Sequence, residues 1–189
     1  MPKAVSARID SLDFVFEHLP TRIVANRSCQ EIKLAGLNVG PFEEGNEYET
    51  YYWVALELEK SGITHFREDE NLSVAKLSKF QWSERIQTSG QISKLPDEFY
   101  PRLRRYLSDL RRDAAKTPEK MLESEKARQL TRDVVNSRLR KIVSIASAPA
   151  QTEQALMNLT GEERFLYEQL YTLISQWRTQ IVEYEEAEE

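Results

Sequence analysis

Cysteine and histidine are almost absent from this sequence of 189 residues, which contains one cysteine, Cys29, and two histidines, His18 and His65. A single cysteine excludes an internal disulfide and suits a reducing compartment. The spacing of the three side chains matches no arrangement of metal ligands. Cys29 also lacks a recognisable base partner that would make it a nucleophile. We therefore predict no metal site, no catalytic residue and no cofactor.

Long apolar runs are missing as well. No stretch approaches the roughly 18 apolar residues of a membrane span, and the N-terminus has no apolar run of signal-peptide length. We therefore expect a cytoplasmic protein that makes no contact with a membrane.

The common sequence motifs of enzymes are absent as well. The sequence contains no P-loop, no GxGxxG and no GxSxG, the short motifs of nucleotide binding and of serine hydrolysis. Acidic pairs such as Glu43/Glu44 and Glu162/Glu163 are interpreted as solvated surface, because adjacent residues on a helix point in different directions. The sequence thus predicts that the chain is not an enzyme.

The charged residues are unevenly distributed, although the net charge is only −5. Residues 102–141 contain 13 Lys/Arg and 6 Asp/Glu, a net of +7, whereas residues 153–189 contain 2 Lys/Arg and 9 Asp/Glu, a net of −7. Opposite charges on neighbouring helices can pair within one molecule or between subunits. Solvated faces of amphipathic helices are the ordinary alternative.

The first part of the chain, residues 1–66, has the pattern of a small β-rich domain. Residues 1–20 fit a short helix followed by an extended arm, and turn residues fill 36–46. A helix is predicted from Tyr52 to Leu58, ended by Gly62. Alternation and β-branched residues predict strands at 22–25, 31–35, 47–50 and 63–66.

The remainder of the chain has helical periodicity. A connecting helix, capped near Asp69 to Asn71 and ending near Gly90, is predicted within 67–91. A hairpin of two helices follows, the first beginning at Leu95-Pro96-Asp97 and the second after Thr117-Pro118. The last helix begins with a capping box of Thr160 and Glu163. The expected fold is α+β, with a β-rich domain at 1–66, the connecting helix at 67–91, and a helical domain with an acidic tail at 92–189.

The last helix, Glu162 to Tyr184, is apolar over more than half of its circumference, which predicts burial on several sides. A domain with so few helices cannot cover such a surface, so we expect part of it at a subunit interface. The candidate interface residues are Tyr167, Tyr171, Ile174, Trp177 and Ile181.

The basic helical hairpin, residues 102–141, is a second candidate surface. Its aromatic residues lie on the apolar stripe and do not alternate with the arginines, which disfavours a dedicated nucleic-acid site. A nucleic-acid-binding module that uses this hairpin nevertheless stays as the alternative hypothesis, and it predicts steeply salt-dependent binding. The arginines that would contact a partner or DNA are Arg104, Arg105, Arg111, Arg112, Arg128, Arg132, Arg138 and Arg140.

Several segments occur in a fixed order that is typical of one protein family. They are 39–49 and 53–58 in the front part, and 95–100, 123–130, 138–142 and 159–163 in the helical part. In this order, over about residues 22–182, they resemble subunits of GINS, a complex of the replicative helicase assembly. A β-rich (B) domain before the helical (A) domain is similar to the archaeal B-domain-first class, whose eukaryotic relatives are the second and third partner-of-Sld-five proteins.

The resemblance implies a non-catalytic scaffold that supports unwinding at the replication fork. GINS subunits form a tetramer through their helical domains, in archaea usually from two copies each of two subunits. The implied partners are a second GINS-type subunit, the MCM helicase and a RecJ-like protein, with weak or indirect DNA contact. In an archaeon the implied location is the nucleoid.

Overall fold

The computed structural model describes residues 2–34, 36–67, 71–87, 91–148 and 153–182. The chain divides into two compact units, Met1–Leu72 and Ser73–Glu189. Each unit has a hydrophobic core of its own, as expected of a separate domain.

The first unit combines two helices with short strands. Its elements are α1 (Pro2–Glu17), β1 (Pro20–Ala25), β2 (Ile32–Leu34), β3 (Leu37–Val39), β4 (Glu47–Tyr51), α2 (Tyr52–Lys60) and β5 (Thr64–Phe66). β1 is the central strand of a three-stranded antiparallel sheet in the order β4-β1-β5, and β2 pairs with β3 in a separate antiparallel hairpin.

The core of the first unit lies between the inner face of the sheet and α2. Ile23 and Ala25 on β1 are buried, as is Thr21, whereas Arg22 between Thr21 and Ile23 is exposed, because successive side chains of a strand face opposite sides. Val54, Ala55 and Leu58 of α2 pack into the same cluster as the two apolar β1 residues.

The second unit is a bundle of helices around one long central helix. Its helices are α3 (Val74–Ile86), α4 (Phe99–Asp113), α5 (Pro118–Ala146), α6 (Glu153–Met157) and α7 (Gly161–Val182). With 29 residues, the central helix α5 is about 44 Å long, and it packs against α3, α4 and α7. Its N-cap is Thr117, whose Oγ1 accepts a hydrogen bond from the Lys120 amide at 3.3 Å, and Pro118 occupies the first turn, both common at helix starts.

The predicted α+β class is confirmed, with local differences. Strands β1, β2, β4 and β5 and helix α2 occur where the sequence predicts them, and the helix and arm predicted within 1–20 correspond to α1 and the start of β1. The turn-rich segment at 36–41 contains the strand β3. Helix α4 begins at Phe99, later than predicted, and Leu95-Pro96 lies outside it.

The helix predicted as a connector, α3, is part of the second unit. It packs against α5, so the structure divides the chain between Leu72 and Ser73. Its N-cap is Ser73, whose Oγ accepts a hydrogen bond from the Lys76 amide at 3.3 Å. The predicted cap residues Asp69 and Glu70, and the predicted end at Gly90, lie outside the described residues.

Candidate subunit interface

A buried arginine, Arg138, lies at the centre of the second unit. Its side chain is 0% exposed and occupies the inward stripe of α5, one turn after Val134 and one turn before Ile142. Its Nε and Nη2 donate to the two carboxylate oxygens of Glu163, the latter at 2.6 Å. Its Nη1 donates to Oε2 of Glu84 at 3.0 Å. A guanidinium this deeply buried requires such partners, because an unpaired charge in the interior is very costly.

Two backbone carbonyls complete the partners of the guanidinium. Nη1 donates to the carbonyl of Ser93 at 2.8 Å, and Nη2 donates to the carbonyl of Asn158 at 3.2 Å. All three nitrogens of Arg138 therefore have acceptors. The side chain joins the segment before α4 and the segment after α6 to the central helix.

Glu84 of α3 is the second buried carboxylate of this network. Its Oε1 lies 2.6 Å from Nζ of Lys141, and its Oε2 accepts a hydrogen bond from Oγ of Ser93. Burial alone raises the pKa of Glu84, but the hydrogen bonds from Lys141 and Ser93 and the charge of Arg138 hold it below its ordinary value of 4.5. Glu84 is therefore ionised at neutral pH, and two carboxylates balance two cations in the interior.

Glu163 has two roles at the start of α7. Its Oε2 accepts from the Thr160 amide at 3.1 Å, while the Glu163 amide donates to Oγ1 of Thr160 at 3.4 Å. This is the predicted capping box. Its Oε1 also accepts from the Tyr100 hydroxyl at 2.7 Å. Burial and the adjacent Glu163 raise the pKa of Tyr100, so its hydroxyl stays a donor.

The interpretation of Glu162 and Glu163 as solvated surface is wrong. Glu163 is 3% exposed and pairs with Arg138, and the largely buried Glu162 side chain lies 3.2 Å from Arg104. Both residues are buried because they lie in the first turn of α7, which faces α4 and α5. The buried ion network of Glu84, Arg138, Lys141 and Glu163 thus connects α3, α5 and α7, and Tyr100 adds α4.

The five predicted interface residues divide into two groups. Tyr167 is 5% exposed and belongs to the core cluster that contains Ile142. Tyr171 stacks on Tyr167 with ring centroids 5.9 Å apart, and Ile174 packs against the same cluster. These three side chains attach α7 to its own bundle.

Trp177 and Ile181 form the second group, and each is 60% exposed. They continue a stripe with Leu173 at four-residue spacing, and the neighbouring Val182 is also exposed. Arg178 donates to the carbonyl of Ser147, directly after α5, so the last turn of α7 extends past the end of that helix. We call Leu173, Trp177, Ile181 and Val182 the apolar end of α7. In the single chain one face at this end of α7 is therefore uncovered, and the predicted subunit interface stays a prediction for Trp177 and Ile181.

Two further exposed apolar pairs escaped the sequence reasoning. Trp82 and Ile86 lie one turn apart on α3, and Leu139 and Val143 lie one turn apart on α5, all four exposed. The sequence signal was the four-residue spacing, which places each pair on one face of its helix.

The eight predicted arginines do not form one cationic surface. Arg138 is buried, so its assignment to the outer surface is wrong. Its place in the inward stripe of α5 and its two carboxylate partners explain this. Arg104 pairs with Glu162, Arg112 lies 2.6 Å from Asp109, and Arg105 is half-buried. Arg111, Arg128, Arg132 and Arg140 are exposed, and none of these four has an ion pair with another described residue.

The described residues also bear on membranes and metals. None of their helices combines the length and the apolar character needed to cross a membrane. Nor do they contain a group of three or more His, Cys, Asp or Glu side chains that could hold a metal ion.

Comparison with known proteins identifies the class of this bundle. Residues 71–182 match the family described as Sld5, the GINS complex protein helical bundle domain. The human DNA replication complex GINS protein PSF2 is 26% identical over 152 residues, which cover 79% of this chain and 78% of that protein. Because the family match extends over more than half of the sequence, the chain belongs to the GINS helical bundle family.

Membership of this family confirms three coarse predictions. GINS subunits are non-catalytic components of a replication complex, so the chain is not an enzyme. Its role is that of a scaffold in DNA replication, and its partners include other GINS subunits.

Proposed function

We propose that the chain is a scaffold subunit of a GINS tetramer, and that the apolar end of α7 joins it to a neighbouring subunit. The observation that carries this proposal is the exposure of Trp177 and Ile181 at the free end of a helix whose other end is firmly buried. A row of exposed apolar side chains on one face is typical of an interaction surface.

The free energy available at this surface is considerable. Fully burying a large apolar side chain contributes about 1.5–3 kcal/mol. Trp177 and Ile181, each 60% exposed, could therefore contribute several kcal/mol together in a complex. The helix is already formed and anchored by the buried ion network, so association does not require the ordering of this segment.

The finer assignments also belong to this proposal. The unit that contains the described strands precedes the helical second unit, and this order supports the B-domain-first class, while the archaeal type stays a prediction. That class implies a 2:2 tetramer with a second GINS-type subunit, in an assembly with the MCM helicase and a RecJ-like protein. We place the border between the B-like and A-like domains near Leu72, and a nucleoid location stays a prediction.

The test is to change the apolar end of α7 and measure assembly. Trp177→Ala combined with Ile181→Ser should weaken association with a GINS-type subunit of the same organism about a hundredfold, corresponding to roughly 3 kcal/mol of lost burial. Analytical ultracentrifugation of the mixed subunits measures this change.

A matched control is available at the other end of the bundle. Met121 and Leu122 near the start of α5 are as exposed as Trp177 and Ile181, and Met121→Ala with Leu122→Ser should leave assembly unchanged. A wild-type chain that stays monomeric at every concentration and with every GINS-type partner would refute the scaffold proposal.

The nucleic-acid alternative rests on the exposed arginines of α5. Arg128 and Arg132 lie one turn apart, and no ion pair with a described residue neutralises them. If they contact phosphates, changing both to alanine should make the slope of log DNA affinity against log salt concentration less negative by about two. Binding by the isolated chain that is weak and unaffected by these changes would leave the scaffold as the function.

A further inference from the structure

Strand β4 of the first unit has an unpaired outer edge. The Ala25 amide donates to the carbonyl of Asn46, and the Tyr52 amide donates to the carbonyl of Leu19, each at 3.0 Å. Backbone groups of an antiparallel strand point to alternate sides, so in this register Tyr48 and Thr50 point theirs toward β1. Glu49 and Tyr51 point their amide and carbonyl groups away from β1, and no described strand pairs with that side.

This outer edge borders a cleft of about 540 Å³. The cleft is lined by Tyr48 to Tyr51 of β4 and by β3 with Gly40. Gly40 has a φ of +91°, and a Cβ on it would lie 3.2 Å from the Phe42 ring, so glycine is needed at this turn. The unpaired edge strand β4 therefore lines a cleft that is already present in the free chain.

The lining of the cleft is acidic, although the exposed Arg22 of β1 lies opposite Glu49 in the sheet. Among the described residues that line the cleft, Glu49 is the single charged side chain. It is exposed and forms no ion pair with a described residue, whereas Glu47 lies 3.1 Å from Arg67. Glu43 and Glu44 next to Phe42 add two more exposed carboxylates nearby in the chain.

We propose that this cleft binds an extended, cationic segment of a partner protein, which adds a strand to the outer edge of β4. Main-chain hydrogen bonds to Glu49 and Tyr51 would provide affinity, as in other cases of strand addition. Charged side chains on an edge normally discourage pairing with other strands, and here the unpaired Glu49 would select a lysine or arginine directly opposite it.

The register of β4 predicts how apolar and basic side chains alternate along the bound segment. Tyr48 and Thr50 lie on the face of the sheet that carries the buried Ile23 and Thr21 of β1, whereas Glu49 lies on the solvent face. Residues of the bound segment therefore alternate between an apolar side chain beside Tyr48 or Thr50 and a basic side chain beside Glu49. This surface belongs to the first unit, and the proposal is independent of the assembly through α7.

The probe is a short capped peptide of alternating valine and lysine, added to the full chain. Amide hydrogen exchange measured by NMR should show Tyr48 and Thr50 protected in the free protein, and Glu49 and Tyr51 exchanging rapidly. Near saturation with the peptide, the Glu49 and Tyr51 amides should slow by about tenfold. The same peptide with glutamate in place of lysine should not protect them.

Two matched variants test the role of charge. Glu49→Lys should weaken binding of the lysine peptide by about fivefold or more, the size expected of a cross-strand charge pair that becomes repulsive. Glu57→Lys makes the same charge change on the exposed face of α2, outside the cleft, and should leave affinity unchanged. Three results would overturn the proposal: Glu49 and Tyr51 amides that remain fast with the peptide, equal protection by the glutamate peptide, or equal weakening by both variants.

Discussion

Replacing Arg138 with methionine removes the centre of the buried ion network while keeping a side chain of similar length. The change eliminates the paired hydrogen bonds to Glu163, the one to Glu84, and those to the carbonyls of Ser93 and Asn158. Lys141 still neutralises Glu84, so Glu163 becomes the carboxylate without a charge partner. Removing one partner of a buried ion pair costs about 3–5 kcal/mol, a large part of the ~5–15 kcal/mol that stabilises a typical domain.

Urea unfolding followed by far-ultraviolet circular dichroism measures this loss, because most helical residues belong to the second unit. Arg140→Met is the matched control. Arg140 lies two positions further along α5, is exposed, and within the described part of the chain donates only to the carbonyl of Asn136. The control variant should differ from wild type by less than about 0.5 kcal/mol. All chains are compared at one concentration, since association would raise apparent stability.

A second substitution tests whether the unpaired buried carboxylate of Glu163 causes the loss of stability in the Arg138→Met chain. Glutamine at position 163 can keep the capping box and an acceptor for Tyr100 but carries no charge. Glu163→Gln should therefore destabilise the wild-type chain, where it breaks an ion pair, and stabilise the Arg138→Met chain, where it removes an unpaired carboxylate. A loss below about 1 kcal/mol for Arg138→Met, or the same sign for Glu163→Gln in both backgrounds, would refute this reasoning.

Two other predictions concern the ends of the network. Because the pKa of Glu84 is held below 4.5, its ionised form stabilises the folded chain above that pH, and the contribution is lost as the pH falls through the folded pKa. The free energy of unfolding should thus fall with acidification more steeply in wild type than in Glu84→Gln, and parallel pH profiles from urea titrations would contradict this. Thr160→Ala should cost about 1 kcal/mol by removing the cap of α7, while Thr160→Ser should retain most of it. A thermal melt in which both variants match wild type would show that the cap contributes nothing.

Local signals in the sequence predicted the starts of two helices accurately. Thr117-Pro118 opens α5, and Thr160 with Glu163 forms the capping box of α7. Both signals depend on residues within one helical turn of each other, so the side chains that interact are also neighbours in the sequence. The strand pattern of β1 was equally predictable, because its alternation reflects burial on one face.

Interactions between distant segments could not be read in the same way. Glu84, Arg138 and Glu163 are separated by 54 and 25 positions, and their pairing depends on how three helices pack. One signal was nevertheless present. Arg138 lies four residues after Val134 and four before Ile142, so the apolar period of α5 already placed it inward. The sequence did not separate Tyr167, which the bundle covers, from Trp177 and Ile181, which it leaves exposed, because apolar content does not reveal how far a helix extends past its neighbour.

The continuity of α7 has a consequence for how the protein tolerates mutation. Its first turn holds Glu163 in the buried network, and its last turns carry Trp177 and Ile181 on the surface. A partner that binds the exposed end of the folded helix shifts the folding equilibrium by mass action. At a free concentration one hundred times its Kd, the partner adds about 2.7 kcal/mol. That gain approaches the loss expected for Arg138→Met. Substitutions that unfold the isolated chain could therefore persist unnoticed in cells where the partner is abundant, and appear as defects only when subunit supply falls.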